Sequence, residues 1–195
     1  MTIDELQVQL DISSGNELTI LKQYAHKIDN GYLFVDSDNG QCYLFNKRGH
    51  LDDIRKVKSI EDNAFEDCIS LERIVIPNSV KSIRYGAFYY CTSLKNVVIP
   101  NSVKSIGDGA FNNCTSLNSI MIPDSVKSIG NSAFWNCKSL NSIIIPDSVK
   151  SIGGHAFTYC KSLKEIIFKG KTIYQVKTMW YYPWDIEDIS VIKCR

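Results

Sequence analysis

Seven cysteines and three histidines are the residues of this chain best suited to chemistry. The thiols are Cys42, Cys68, Cys91, Cys114, Cys137, Cys160 and Cys194, and those from Cys68 to Cys160 recur every 23 residues. Such thiols could bind zinc, form disulfides or act as nucleophiles. Structural zinc usually draws cysteines two to four residues apart, and no such pair occurs along this chain. Stacked neighbours could come within the ~4.4–6.8 Å between Cα atoms that a disulfide needs. An odd number of equivalent thiols cannot pair off evenly, however, and a free cysteine is a small, well-buried residue. The periodic thiols are therefore read as reduced core residues. No metal or other cofactor is assigned, and a reducing, cytoplasmic compartment is expected.

Catalysis finds little support. His26, His50 and His155 are far apart, and none of the motifs GxSxG, HExxH or GxxxxGK[ST] occurs. The one catalytic arrangement to weigh is a site in the N-terminal segment around His26, Cys42 and His50. The chain is expected not to be an enzyme.

The period that spaces the thiols also spaces nearly everything around them. Alignment on Val57, Val80, Val103, Val126 and Val149 gives one unit, V-K-S-I-x-x-x-A-F-x-x-C-x-S-L-x-x-I-x-I-P-x-S. A fixed period of this size is the signature of stacked architecture. L-x-x-I-x-I predicts a short strand with alternate residues turned inward, ended by a proline (Pro77, Pro100, Pro123, Pro146) that cannot donate to a ladder. A-F-x-x-C lies on the return path. Gly107, Gly130 and Gly153 fit a turn needing positive φ, although Glu61 and Arg84 take that place in the first two units. One coil cannot bury its apolar row alone, but stacked neighbours can. Each large side chain so buried contributes roughly 1.5–3 kcal/mol.

The stretch from Ser105 to Ser125, S-I-G-x-x-A-F-x-x-C-x-S-L-x-x-I-x-I-P-x-S, resembles the BspA-like class of leucine-rich repeats. The likeness covers residues 57 to about 171. It implies a leucine-rich-repeat solenoid, with a short curved parallel β-sheet on the concave side and turns and short helical segments on the convex side. It also implies binding of other macromolecules, often host proteins met from the cell surface or after secretion. The N-terminus bears Asp4 and Glu5 and no basic residue before Lys22, unlike a secretory signal. This favours a cytoplasmic binder over a surface-displayed or secreted adhesin. No apolar run is long enough to span a bilayer. A net charge of +1 provides no whole-protein field toward nucleic acid or anionic lipid.

The ends lack the repeat. Residues 1–56 are read as an α+β cap, with an independent binding module as the alternative. Thr2-x-x-Glu5 and Ser14-x-x-Glu17 look like capping boxes, and Leu18, Leu21, Ala25 and Ile28 follow helical spacing. Leu6, Val8, Leu10 and Ile12 also alternate like a strand, so the first segment stays open. Tyr32–Val35 and Cys42–Phe45 flank Asp38-Asn39-Gly40, a hairpin turn. Residues 57–171 are five repeats, and residues 172–195 a C-terminal cap. That cap is expected to hold a short helix over Thr172–Trp180, a break at Pro183 and a strand over Ile189–Ile192. Trp180, Tyr181, Tyr182 and Trp184 read as a lid on the last coil, or as a carbohydrate or peptide platform.

The candidate binding surface is the outward side of the L-x-x-I-x-I strands. Val75, Val98, Met121, Ile144 and Ile167 point outward and are all apolar; Arg73, Asn96, Ser119, Ser142 and Glu165 run beside them. Glu72, Lys95, Asn118, Asn141 and Lys164 widen the polar margin. An apolar stripe with a polar edge has the composition of a protein interface, and exposed apolar patches mark interaction sites. The alternative is the ordinary preference of strands for β-branched residues. These residues are expected to bind a protein partner by surface complementarity, as an inhibitor or a host-factor binder would. The column Lys58, Lys81, Lys104, Lys127 and Lys150 is read as a solvated face, with an anionic partner as the alternative. Tyr85, Tyr89, Tyr90, Trp135 and Tyr159 are read as lateral packing.

Overall fold

The computed structural model describes residues 1–12, 23, 25–28, 31–46, 50–179 and 189–195. The Ser14–Glu17 box, Leu18, Leu21, Pro183 and the aromatic group Trp180, Tyr181, Tyr182 and Trp184 lie outside them.

The chain opens with a helix, α1 (Ile3–Ile12). Its start is the reciprocal box expected from the sequence: the Thr2 N–H donates to Glu5 Oε2 at 2.8 Å and the Glu5 N–H to Thr2 Oγ1 at 3.2 Å. Leu6 and Leu10, one turn apart, are buried, while Val8 between them is exposed. α1 packs on an antiparallel sheet of β1 (His26–Ile28), β2 (Gly31–Val35), β3 (Cys42–Asn46) and β4 (Leu51–Asp52), in that order. Alternation lets β2 and β3 bury both faces. Tyr32, Phe34 and Phe45 join Leu6 and Leu10, whereas Leu33, Cys42 and Leu44 join the core of the repeats. Asp36 fastens helix to hairpin by accepting the N–H groups of Ile3, Asp38 and Asn39. Burial pushes its carboxyl up, but these donors outweigh that and hold it below its ordinary value. The hairpin turn then docks on the array, where Gly40 O accepts the Val75 N–H at 2.7 Å.

The repeats form a parallel β-solenoid of about five turns. Each coil supplies two short strands. β5 (Ser59–Ile60), β7 (Ser82–Ile83), β9 (Ser105–Ile106), β11 (Ser128–Ile129) and β13 (Ser151–Ile152) form one sheet from the V-K-S-I segments. The L-x-x-I-x-I segments give β6 (Arg73–Val75), β8 (Asn96–Val98), β10 (Ser119–Met121), β12 (Ser142–Ile145) and β14 (Glu165–Phe168). The V-K-S-I sheet was not foreseen, because a two-residue strand carries no readable alternation.

Between the sheets the chain returns through hydrogen-bonded turns, not helices. Cys68 N–H donates to Phe65 O, and Phe65 N–H reaches across to Ala87 O in the next coil. Phe65, Phe88, Phe111, Phe134 and Phe157 stack with ring centroids 5.1–5.5 Å apart and planes within 7°. Gly107, Gly130 and Gly153 do not have the positive φ that was expected. They are needed for close stacking, since a Cβ on Gly107 would lie 2.7 Å from the Arg84 carbonyl carbon. Left-handed backbone falls elsewhere, in one column running Asn63, Gly86, Gly109, Ser132, His155 and another running Asp67, Tyr90, Asn113, Asn136, Tyr159.

At the far end Lys169 replaces the strand-ending proline and its N–H donates to Ile145 O at 3.0 Å, which proline could not do. A helix, α2 (Ile173–Met179), follows and buries Val176. The last strand, β15 (Ile192–Cys194), pairs with β14 and is preceded by a 3-10 turn over Ile189–Val191, so it begins later than expected. Among the described residues no helix is long and apolar enough to cross a membrane.

Candidate functional site

Parallel pairing brings the predicted stripe together. Val75 stands opposite Val98, and Met121 opposite Ile144, which stands opposite Ile167. The inward neighbours Ile74, Ile143 and Ile166 are buried and fix which side faces out. Met121 is 81% exposed, Val98 55% and Ile144 42%, while Val75 and Ile167 are half-buried. The polar row is also in register, with Arg73 opposite Asn96, and Ser119, Ser142 and Glu165 aligned. Arg73 is drawn toward the cap, its guanidinium donating to Asp38 O at 3.3 Å. Lys95 and Glu72 form an exposed ion pair at 3.0 Å, worth under about 1 kcal/mol.

A break that the 23-residue period does not foreshadow crosses this face. β8 and β10 lie side by side but belong to separate sheets, β6–β8 and β10–β12–β14–β15. Ile76 N–H donates to Val98 O, and Lys95 N–H to Glu72 O; among the described residues neither bond has a counterpart from β8 to β10. The core residues beside the break are slightly opened, Val97 and Ile99 to 8% and Ile120 to 7%, against 1% for Ile74 and Ile143. Val98 and Met121 flank the break on the outside. The stripe itself contains no titratable group, and its margin carries serine and asparagine in the middle coils with the charged Glu72, Arg73, Lys95, Lys164 and Glu165 toward the ends.

Of the residues in the catalytic arrangement weighed from the sequence, Cys42 and His50 sit in different surroundings. The Cys42 thiol donates to Val75 O and burial pushes it up to about 12, and His50 is exposed. The neighbour of His26 is instead Cys68, a pairing sequence spacing could not indicate. Among the described residues no group of three or more metal-ligating side chains comes together. The lysine column is exposed, as expected of a solvated face. Of the convex aromatics, Trp135 packs on Tyr159 of the next coil and Tyr89 on Tyr90 of its own, whereas Tyr85 is exposed.

A family model described as the BspA type leucine rich repeat region matches residues 58–187 in six copies. No curated protein gives a significant match. Among solved structures, the T. pallidum leucine rich repeat protein is 28% identical, with 73% of this chain and 71% of that one covered at a TM-score of 0.58. A leucine rich cell surface protein from Faecalibacterium prausnitzii A2-165 is 31% identical over 78% of this chain, TM-score 0.62, and the match spans 41% of that protein. A leucine-rich repeat protein from Bacteroides ovatus is 26% identical over 75% of this chain and 49% of its own, TM-score 0.52.

Proposed function

This chain belongs to the BspA-type leucine-rich repeat family, and on that premise we propose that it is a non-enzymatic binding protein that takes a protein partner on the outward face of β6 to β14. The observation that carries this reading is the run Val98, Met121 and Ile144, apolar and exposed in consecutive coils. The inward columns already satisfy the fold's need for burial, so the exposed row is surplus to folding. Asn96, Ser119 and Ser142 beside it supply the polar rim of an interface. The stacked coils hold the row in one shape, which keeps the entropic cost of binding low. Inhibition or capture of a host factor is a role such a surface serves without chemistry.

A second reading, a surface-displayed or secreted adhesin, is favoured by the 31% identity to a cell surface protein. Both readings use the same stripe and differ in location. Protease treatment of intact native cells separates them: loss of the protein places it outside, and protection places it in the cytoplasm.

The binding reading is tested by affinity capture with the wild type and a Met121→Asp/Ile144→Asp variant whose fold is checked by circular dichroism. Burying carboxylates against an apolar partner weakens binding at least about tenfold, or ~1.4 kcal/mol. A partner held equally by both proteins sinks the reading and moves the site to the lysine column or the caps.

A further inference from the structure

The thiol column ends on a different partner from the one used within it. Inside the array each sulfur donates to the phenylalanine carbonyl of the preceding coil: Cys91 to Phe65 O at 2.9 Å, Cys114 to Phe88 O at 3.2 Å, Cys137 to Phe111 O at 3.2 Å and Cys160 to Phe134 O at 3.1 Å. Cys68 is in the first coil and has no preceding coil to donate to, and the carbonyl its thiol meets is the more distant Glu66 O of its own turn, at 3.8 Å. The N-terminal cap supplies His26 there, with Nδ1 and Nε2 each 3.6 Å from Cys68 Sγ. The same imidazole ends the phenylalanine stack, its centroid 4.4 Å from that of Phe65. Cys68 is only partly buried. Together with His26 it lines a cavity of about 890 Å³ between cap and first coil, whose wall also carries Asp36, Asp67, Glu72 and Arg73.

These surroundings sort the thiols by reactivity. A carbonyl acceptor holds the proton on sulfur, and burial pushes Cys114 and Cys137 up. At Cys68 the neighbouring Cys91 thiol and then His26 bring the thiol down to about 5, against partial burial and the Asp67 carboxylate. A low, accessible thiol beside a second cysteine is the arrangement of redox-sensing sites.

We propose that Cys68 is a redox modification site, a nucleophilic sulfur paired with His26 in the cap cavity that a hydroperoxide oxidises, with Cys91 of the next coil as the resolving thiol. Cys68 sulfur attacks one peroxide oxygen. An S–O bond forms, the O–O bond breaks, and the departing oxygen takes up the proton that the Cys68 thiol has given up, leaving as water or an alcohol. Cys91 sulfur, whose acceptor Phe65 O also accepts the Cys68 N–H, then attacks the sulfenic sulfur. The S–O bond breaks, water leaves with the Cys91 proton, and the two coils are joined by a disulfide. Cys91 is fully buried, so the oxidant meets Cys68 first.

The test treats the full chain with one equivalent of hydrogen peroxide at pH 6 and pH 8 and maps the products by mass spectrometry. The expected main product is a Cys68–Cys91 cross-linked peptide. The rate at which free Cys68 is lost should change less than about twofold between the two pH values, whereas an ordinary thiol of pKa ~8.5 gains about 75-fold in thiolate. Cys91→Ala should accumulate a dimedone-reactive sulfenic acid at Cys68. His26→Gln should slow Cys68 oxidation at pH 6 relative to pH 8, making the profile steeper than in the wild type, and Cys68→Ser, which preserves size, should abolish the cross-link. Oxidation of Cys68 no faster than that of Cys114, a steep pH profile in the wild type, or a Cys68 disulfide to any other residue overturns the proposal.

Discussion

The strands from Ser59–Ile60 to Ser151–Ile152 form one unbroken ladder, whereas the L-x-x-I-x-I strands of the same coils part between β8 and β10. The closed sheet reads Ser-Ile in every coil. The open one varies, as Arg-Ile-Val, Asn-Val-Val, Ser-Ile-Met, Ser-Ile-Ile and Glu-Ile-Ile at equivalent positions. Its break falls where two columns depart from type. Val97 is a methylene short of the isoleucine found in the other coils, and Met121 alone in its column is not β-branched. A smaller core residue leaves a gap, and an unbranched one fits a pleated surface less well. Invariant columns thus hold the solenoid together, and variable ones shape the face we assign to a partner.

If one shared core supports both sheets, damage to it should fell both together. Phe111 is fully buried between Phe88 and Phe134, at 5.1 and 5.4 Å. Phe111→Ala is expected to cost about 3–5 kcal/mol by denaturant unfolding. A loss below about 1 kcal/mol would mean that the sheets do not depend on the stack.

A smaller effect is expected from crowding the backbone next to the closed sheet. Gly107→Ala sets a Cβ against the carbonyl of Arg84, and should destabilise by roughly 1–3 kcal/mol, as overpacking does. Arg84 itself fills this column in the second coil, with its guanidinium drawn outward by Glu61 and Asp62. Alanine at 107 has no such partners and must shift the third coil. An unchanged unfolding midpoint would show that the coils slide freely there.

The glycines also mark how far the sequence could be read. Period and residue type alone located the core columns and the outward stripe, because stacking repeats one environment in every coil. Type did not reveal cause at Gly107, where stacking distance and not dihedral angle demands glycine. Asn63, Asn113 and Asn136 carried the left-handed signal instead, since asparagine tolerates that region better than most residues. In α1, Leu6, Val8 and Leu10 satisfied both a strand and a helix pattern until the Thr2–Glu5 box and the exposed Val8 decided it. The His26–Cys68 contact joins residues 42 apart in sequence through cap docking, which no local pattern encodes.

The finest separation of the two sheets lies in their amide protons. Lys95 and Lys164 donate to the preceding coil, and Ile76 to the next. The 23-residue shift puts Asn118 and Ile99 in the same places beside the break, where among the described residues no such bond forms. Amides that lack a partner exchange through smaller openings. Those of Ile99 and Asn118 should therefore exchange at least about tenfold faster than those of Ile76 and Lys164, equivalent to ~1.4 kcal/mol less protection. In the closed sheet Lys81, Lys104, Lys127 and Lys150 all donate across every step and should exchange alike. Equal protection on both faces would mean that the open sheet zips shut in solution, leaving the stripe flat. Slowing of Ile99 and Asn118 on partner binding, with the lysine ladder unchanged, would place the partner's edge over the break.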